Sequence, residues 1–133
     1  MRYLLDTNIV IFVLKDQGGA AATRLAQESP VDVLLCAIVE AELHHGATKY
    51  GVPDRRRRAL EGFLAPFRSL PFASACVPHY ARLRDTLERA GHVIGGNDML
   101  IAAIALAHDL TVVTHNGGEF NRVPDLRIED WSV

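Results

Sequence analysis

Four acidic side chains, Asp6, Glu42, Asp98 and Glu119, occur where a shared cation site could form. Asp6 directly follows a short apolar segment, and Glu119 comes a few residues after another one. No Lys or Arg lies beside these acids in the sequence to pair with them. Carboxylate oxygens suit hard divalent ions such as Mg²⁺ or Mn²⁺, and the chain has no Cys/His cluster of the kind that binds zinc. The pattern favours metal-assisted hydrolysis of a phosphodiester.

Helical phase separates the two glutamates of segment 37–49. With Ile38 taken as the reference at roughly 0°, Glu42 lies at about 40°, inside the apolar arc, and Glu40 at about 200°. A carboxylate on a core-facing stripe is costly unless it is paired, protonated or bound to a cation. We therefore expect Glu42 to face the site and Glu40 to face solvent.

Asp98 has a second interpretation, because it stands at the predicted start of a uniformly apolar helix. An Asp in this position can accept hydrogen bonds from free backbone N–H groups and favours the helix dipole. Thr7 and Asn8 could in the same way cap the helix that follows Asp6. Taken singly, each residue fits a capping role, whereas the four acids together demand a cation.

Short apolar segments alternate with helical patterns along the chain. Three segments have the composition of buried strands and a fourth is weaker: Tyr3–Leu5, Val33–Cys36, Leu110–Val113 and Leu126–Ile128. Helical patterns cover residues 8–14, 20–28, 37–49, 54–68, 77–90 and 98–108. This alternation predicts a three-layer α/β/α sandwich with a central, mostly parallel sheet. In such sheets the functional site lies at the carboxyl ends of the strands, where Asp6 and Thr114 stand.

Length and composition narrow the class of protein. The 133 residues, 49% of them hydrophobic, suit a single domain spanning residues 1–133. Cys36 and Cys76 are far apart and outside any metal-binding motif, so we expect reduced core thiols. The longest apolar run, nine residues at 99–107, is too short for a membrane span, and Asp6 and Asn8 interrupt any signal peptide. We expect a cytoplasmic protein without a membrane partner.

The middle of the chain is basic although the net charge is −2. Residues 49–89 carry nine Lys and Arg against four acids, including the run Arg55, Arg56, Arg57 and Arg58. Such a run is often no more than a solvated helix face. The guanidinium group, however, fits phosphate in a bidentate manner, so the run is also a candidate RNA-binding rim.

The order and spacing of the motifs resemble a known family. Leu4–Asn8, Glu42, the segment Ile94–Ala103 and the segment Thr114–Phe120 closely resemble the PIN-domain ribonucleases of the VapC toxin type. The resemblance covers nearly the whole chain and implies a PIN-like fold. It also implies that Asp6, Glu42 and Asp98 coordinate Mg²⁺, for which Mn²⁺ can substitute. Thr7, Asn8, Asn97 and Thr114 would orient the carboxylates and water.

The same resemblance implies an endoribonuclease toxin that cuts structured RNA, such as tRNA or ribosomal RNA. A VapB-type antitoxin would hold it inactive by laying a C-terminal segment over the active site, and the toxin would form a homodimer. One position departs from the family, since many PIN domains have Asp where Asn116 stands. We expect Glu119 to be the fourth acid and Asn116 to act as a hydrogen-bonding group.

Other functions fit the sequence less well. A PIN-domain nuclease of RNA processing without an antitoxin shares these motifs. A receiver-like Mg²⁺-binding signalling domain would need a Lys after a late strand, yet the only lysines are Lys15 and Lys49. RNA cleavage by a histidine pair is disfavoured because His44 should face water and only His115 lies near the proposed site.

Overall fold

Five short strands form one all-parallel sheet with helices on both of its faces. The computed structural model describes residues 1–51 and 53–133. The strands are β1 Tyr3–Leu5, β2 Val33–Cys36, β3 Arg68–Leu70, β4 Thr111–Val113 and β5 Ile128–Glu129. The helices are α1 Thr7–Lys15, α2 Ala20–Gln27, α3 Ala37–Lys49, α4 Asp54–Leu64, α5 Val77–Ala90, α6 Gly96–Ala107 and the single turn α7 Gly117–Phe120. The prediction of a three-layer sandwich around a parallel sheet is confirmed.

The strand order creates a switch point beside Asp6. The sheet runs β3-β2-β1-β4-β5, so the chain builds outward from β1 in one direction and then returns to add β4 and β5 on the other side. Leu5 pairs with Val113, and the backbone N–H of Asp6 donates to the Val113 carbonyl at 2.9 Å. Ligand sites of parallel sheets form where the strand order reverses. The residues after β1 and β4 therefore meet at this edge.

The core explains why the acids cannot shift away from this edge. Every residue of β1, β2 and β4 is buried, and so is half of α6. Such uniformly apolar strands are typical of a parallel sheet that is covered on both faces. Cys36 and Cys76 are buried free thiols, as predicted. Within residues 1–51 and 53–133, no helix combines the length and the apolar character needed to cross a bilayer.

Strand β3 corrects the prediction of a helix over residues 54–68. Helix α4 ends at Leu64, two residues before Pro66, which has no N–H with which to continue the helix. Arg68–Leu70 then pairs with β2 as the edge strand. Leu70 is buried, Ser69 is partly buried and Arg68 is exposed. That polar composition concealed the strand in the sequence.

Helix α6 corrects the capping role considered for Asp98. The helix begins at Gly96 with Gly95 as its N-cap, so Asp98 lies within the first turn. The N-cap of α1 is Asp6. Thr7 and Asn8 lie within the helix and therefore do not cap it. Smaller differences are that β4 begins at Thr111 and β5 at Ile128, one and two residues later than predicted.

Candidate active site

Asp6 is held in place between β1, α1 and β4. Its carboxylate accepts hydrogen bonds from the Thr7 backbone N–H at 2.8 Å and from the Thr114 hydroxyl at 2.9 Å. Burial raises the pKa of Asp6, the two hydrogen bonds oppose that shift, and the nearby negative charges of Glu42 and Glu119 add to it. A carboxylate in this environment gains from any cation that approaches it.

Glu42 is joined to the Asp6 region through Thr7. The Thr7 hydroxyl donates to the Glu42 carboxylate at 2.9 Å, linking the first turn of α1 to the second turn of α3. The side chain is partly buried, which agrees with its predicted position on the inward side of α3. Thr7 thus links Asp6 and Glu42, since its backbone N–H bonds Asp6 and its hydroxyl bonds Glu42.

Asp98 and Glu119 form a second carboxylate pair, with Asn116 between them. The Asn116 side-chain amide donates to Asp98 at 3.3 Å and to Glu119 at 3.0 Å. Partial burial, a hydrogen bond shared with Glu119 and the charges of Asp6, Glu119 and Glu42 raise the pKa of Asp98 to about 8. The same shared hydrogen bond lowers the pKa of Glu119. The two carboxylates therefore hold one proton between them near neutral pH.

No Lys, Arg or His of residues 1–51 and 53–133 forms an ion pair with these four acids. In the described part of the chain, Lys, Arg and His form ion pairs within 4 Å only with other carboxylates. The charge of Arg122 makes a small contribution to lowering the pKa of Glu119. Repulsion among four carboxylates is costly, so the arrangement favours a divalent ion as the missing counter-charge.

The donor set fits a hard divalent cation. The side chains directed at this edge supply carboxylate and hydroxyl oxygens, which are the donors that Mg²⁺ and Mn²⁺ prefer. Cys36 lies close enough to feel Asp6 and Glu42, but burial and these charges raise the pKa of its thiol to about 11. A protonated thiol is a poor metal ligand. Among residues 1–51 and 53–133, no three His, Cys, Asp or Glu side chains stand close enough to share one ion.

The residues predicted to orient the carboxylates divide into two groups. Thr7, Thr114 and Asn116 contact the acids, and the Thr114 hydroxyl also accepts from the Asn116 backbone N–H at 2.7 Å. Asn8 and Asn97 are exposed, and neither side chain hydrogen-bonds another residue of the described ranges. The roles of Asn8 and Asn97 stay predictions.

Two exposure predictions on α3 are wrong. Glu40 is partly buried, and its carboxylate accepts a hydrogen bond from the Ser69 hydroxyl at 2.8 Å. Its expected solvent position is occupied by the edge strand β3, which the sequence pattern did not reveal. His44 is likewise partly buried instead of facing water.

The arginine run lies on α4, apart from the acid cluster. Arg55, Arg56 and Arg58 are exposed and Arg57 is partly buried. Arg56 and Arg57 line a groove of about 670 Å³ that also includes Glu42, Ile11 and Leu60. The groove connects the basic helix to one end of the acid cluster.

Two features of this edge were missed in the sequence. The sequence predicts only a core role for Cys36. In the structure it is the last residue of β2, and its thiol lies near Asp6 and Glu42. The available signal was the position itself, since Asp6 and Thr114 also follow the carboxyl ends of strands. His115 pairs with Asp130 and Ser132, both in the C-terminal segment, instead of with another histidine. No signal in the sequence links these distant residues.

Comparison with known proteins places the chain in a family. The profile of the PIN domain matches residues 3–126. The chain is 35% identical to ribonuclease VapC2 of Rickettsia felis over 132 residues, covering 98% of both chains. It is 34% identical to the tRNA(fMet)-specific endonuclease VapC of Shigella flexneri, covering 99% of both. A crystal structure of VapBC2 from Rickettsia felis bound to a promoter DNA fragment superposes with a TM-score of 0.91 at 34% identity, covering 98% of this chain and 99% of that one. The chain therefore belongs to the PIN-domain family, among its VapC ribonucleases.

Proposed function

We propose that this chain is a Mg²⁺-dependent endoribonuclease that acts in the cytoplasm as the toxin of a type II toxin–antitoxin pair and cleaves structured RNA. The observation that carries the proposal is the convergence of Asp6, Glu42, Asp98 and Glu119 at the switch point of the sheet. Ribonuclease activity is the property of the family to which the chain belongs. In this proposal the four acids form the active site.

The roles follow from the contacts of each side chain. Asp6, Glu42 and Asp98 would hold the cation, and Glu119 would complete the cluster from the turn after β4. The hydroxyl groups of Thr7 and Thr114 donate hydrogen bonds to the Glu42 and Asp6 carboxylates and so orient them. Asn116 keeps the Asp98 and Glu119 carboxylates together.

A cation at this edge would lower the pKa of a coordinated water and neutralise charge on the phosphodiester. The protein's own contribution is to keep the acids ready for it. Burial of Asp6 strengthens its attraction for a cation, because charges interact more strongly away from bulk water. The raised pKa of Asp98 means that a proton leaves this carboxyl when a cation arrives.

For the substrate, we propose structured RNA, with tRNA as the first class to test. The Shigella flexneri relative is named a tRNA(fMet)-specific endonuclease, and it aligns with this chain over nearly its full length. The exposed arginines of α4, Arg55, Arg56 and Arg58 with the partly buried Arg57, would hold phosphates on either side of the cleaved bond.

For inhibition, we propose that a VapB-type antitoxin covers the groove beside Glu42. The lining of the groove is largely apolar. Ile11, Leu14, Leu43 and Leu60, which come from α1, α3 and α4, form its walls. An apolar segment carrying a basic side chain would fill the groove and reach Glu42. The structural relative from Rickettsia felis is a VapBC complex, which supports a protein partner of this kind.

Cleavage of total tRNA tests the nuclease proposal. We expect cleavage with Mg²⁺ or Mn²⁺, loss of cleavage in EDTA, and loss by at least a hundredfold in Asp6→Asn, with its circular dichroism spectrum unchanged. Glu40→Gln is the matched control, because Glu40 contacts Ser69 and not the acids. Undiminished cleavage in EDTA would contradict the metal requirement.

Co-expression tests the partner. If the gene beside this one encodes a VapB-type protein, co-expression should restore growth that the toxin alone arrests. Light scattering after gel filtration measures the oligomer, for which we propose a homodimer. Toxicity that no neighbouring protein relieves would favour the alternative, a PIN-domain nuclease of RNA processing without an antitoxin.

A further inference from the structure

A second cavity, of about 290 Å³, includes His115, which follows β4 at the same edge of the sheet as the acids. Its walls come from the end of α1, the start of α2, the residue after Thr114 and the C-terminal segment. The lining side chains are Phe12, Lys15, Asp16, His115 and Ser132, with Gly19 and two alanines of α2. The roles proposed above use none of these residues.

The cavity is adjacent to the acid cluster through the chain itself. His115 stands between Thr114, which bonds Asp6, and Asn116, which bonds Asp98 and Glu119. Phe12 lies five residues after Thr7 on α1, about 7.5 Å along the helix axis.

The aromatic wall of the cavity is fixed by the C-terminal segment. His115 Nδ1 lies 2.9 Å from the Ser132 hydroxyl and 3.2 Å from the Asp130 carboxylate, and its ring meets Phe12 edge-on at 5.3 Å. Trp131 anchors the segment in the core, where its ring packs against Tyr3 at 4.9 Å. The histidine is thereby oriented by contacts that leave its ring facing the cavity.

The polar wall combines a cation and an anion. Lys15 and Asp16 end α1, and the Asp16 carboxylate lies over Gly19, where a Cβ would come within 2.6 Å of it. Only glycine leaves the carboxylate in this position without a shift. The cavity thus offers aromatic faces, one hydrogen-bond donor group and one acceptor group.

We propose that this cavity is a subsite for one unstacked nucleobase of the RNA substrate, next to the cleaved phosphate. The proposal rests on the nuclease function given above. RNA-binding proteins stack single bases on aromatic side chains and bond the base edges with polar groups. Phe12 would supply the stacking surface, His115, whose ring is nearly perpendicular to that of Phe12, would contact the base from the side, and Lys15 and Asp16 would face the edge of the base. The volume admits a base, whereas a folded RNA helix is excluded.

Competition between two equally charged chains tests the subsite. The probes are a fluorescein-labelled single-stranded 12-nucleotide RNA and a 12-unit ribose-phosphate chain without bases, both measured by anisotropy in Ca²⁺ with intactness checked on gels. The wild type should bind the RNA at least tenfold more tightly than the abasic chain. Phe12→Ala should reduce this preference about fivefold to tenfold, since one base stacked on an aromatic ring contributes on that scale.

Two variants serve as controls. Phe12→Trp retains a stacking surface and should keep the preference. Val31→Ala changes an exposed residue before β2, at the opposite edge of the sheet, and should behave as the wild type. His115→Ala should lose preference as Phe12→Ala does, and for tRNA cleavage both should raise KM more than they lower kcat.

The outcomes separate the subsite from the nuclease function. If the wild type cleaves tRNA but binds both chains equally, or if Phe12→Ala keeps the wild-type preference, the subsite is refuted and the nuclease function stands. If the wild type neither cleaves tRNA nor binds either chain, both proposals fail.

Discussion

Replacing Asp98 by Asn should stabilise the protein in the absence of divalent ions. The pKa of Asp98 is raised to about 8, so the folded chain holds this proton more tightly than the unfolded chain does. Stability linked to Asp98 is therefore fully present below pH 4 and is lost progressively as the pH rises through about 8. Asn at this position carries no charge, so the variant escapes the loss while its amide oxygen still accepts from Asn116.

The size of the effect follows from the shift. A shift from 3.8 to about 8 corresponds to an upper bound of roughly 6 kcal/mol at high pH. Two factors reduce it: the carboxylate is only partly buried, and Glu119, whose pKa is lowered, acts in the opposite direction. We expect Asp98→Asn to increase the free energy of unfolding by about 1 to 3 kcal/mol at pH 8.

Urea unfolding in EDTA, followed by the fluorescence of Trp131, measures the difference. The free energy of unfolding of the variant should exceed that of the wild type at pH 8, and the two values should nearly coincide at pH 4. Added Mn²⁺ should stabilise the wild type and stabilise the variant much less, since a cation replaces the proton only where a carboxylate is present. A variant that is no more stable than the wild type at pH 8 would refute the repulsion among the acids.

Three further predictions test other parts of the site. Glu119→Gln should lose more Mn²⁺ affinity in titration calorimetry than Asn116→Ala, because an amide is a weaker ligand than a carboxylate; the reverse order would move the ligand role to Asn116. Replacing Arg56 and Arg57 together by Ala should lower the salt dependence of RNA binding by a slope of about 2, and an unchanged slope would return the run to a solvated face. Glu40→Gln should leave cleavage at the wild-type level and reduce the free energy of unfolding by about 0.5 to 1.5 kcal/mol, because it weakens the bond to Ser69; a loss of cleavage would place Glu40 in the site.

The sequence predicts those elements whose local signals agree with their tertiary setting. Strands β1, β2 and β4 are buried throughout because both sheet faces are covered, and their largely apolar composition is visible in the sequence. Helices α3 and α5 have the predicted bounds, 37–49 and 77–90. Strand β3 escapes prediction because two of its three residues face solvent or a neighbouring carboxylate. The error at Glu40 has the same origin, since its partner Ser69 lies on that strand.

The candidate site follows a similar division. The sequence predicts that Asp6 meets Asn116 and Glu119, because parallel strands end at one edge, and in the structure the charge of Glu119 acts on Asp6 while Thr114, two residues before Asn116, bonds it. The sharing of Asn116 between Asp98 and Glu119 depends on the turn after β4, whose path no local pattern specifies. The cavity beside Phe12 depends on the C-terminal segment folding back, which brings together residues more than a hundred positions apart in the chain.

The most direct test of the central claim is sequencing of RNA 5′ ends after induced expression of the wild type and of Asp6→Asn. We predict new 5′ ends within one class of structured RNA, of which tRNA is the first to examine. These ends should appear with the wild type and be absent with the variant. Ends that appear equally with both proteins, or no new ends although the wild type arrests growth, would contradict a nuclease built on these four acids.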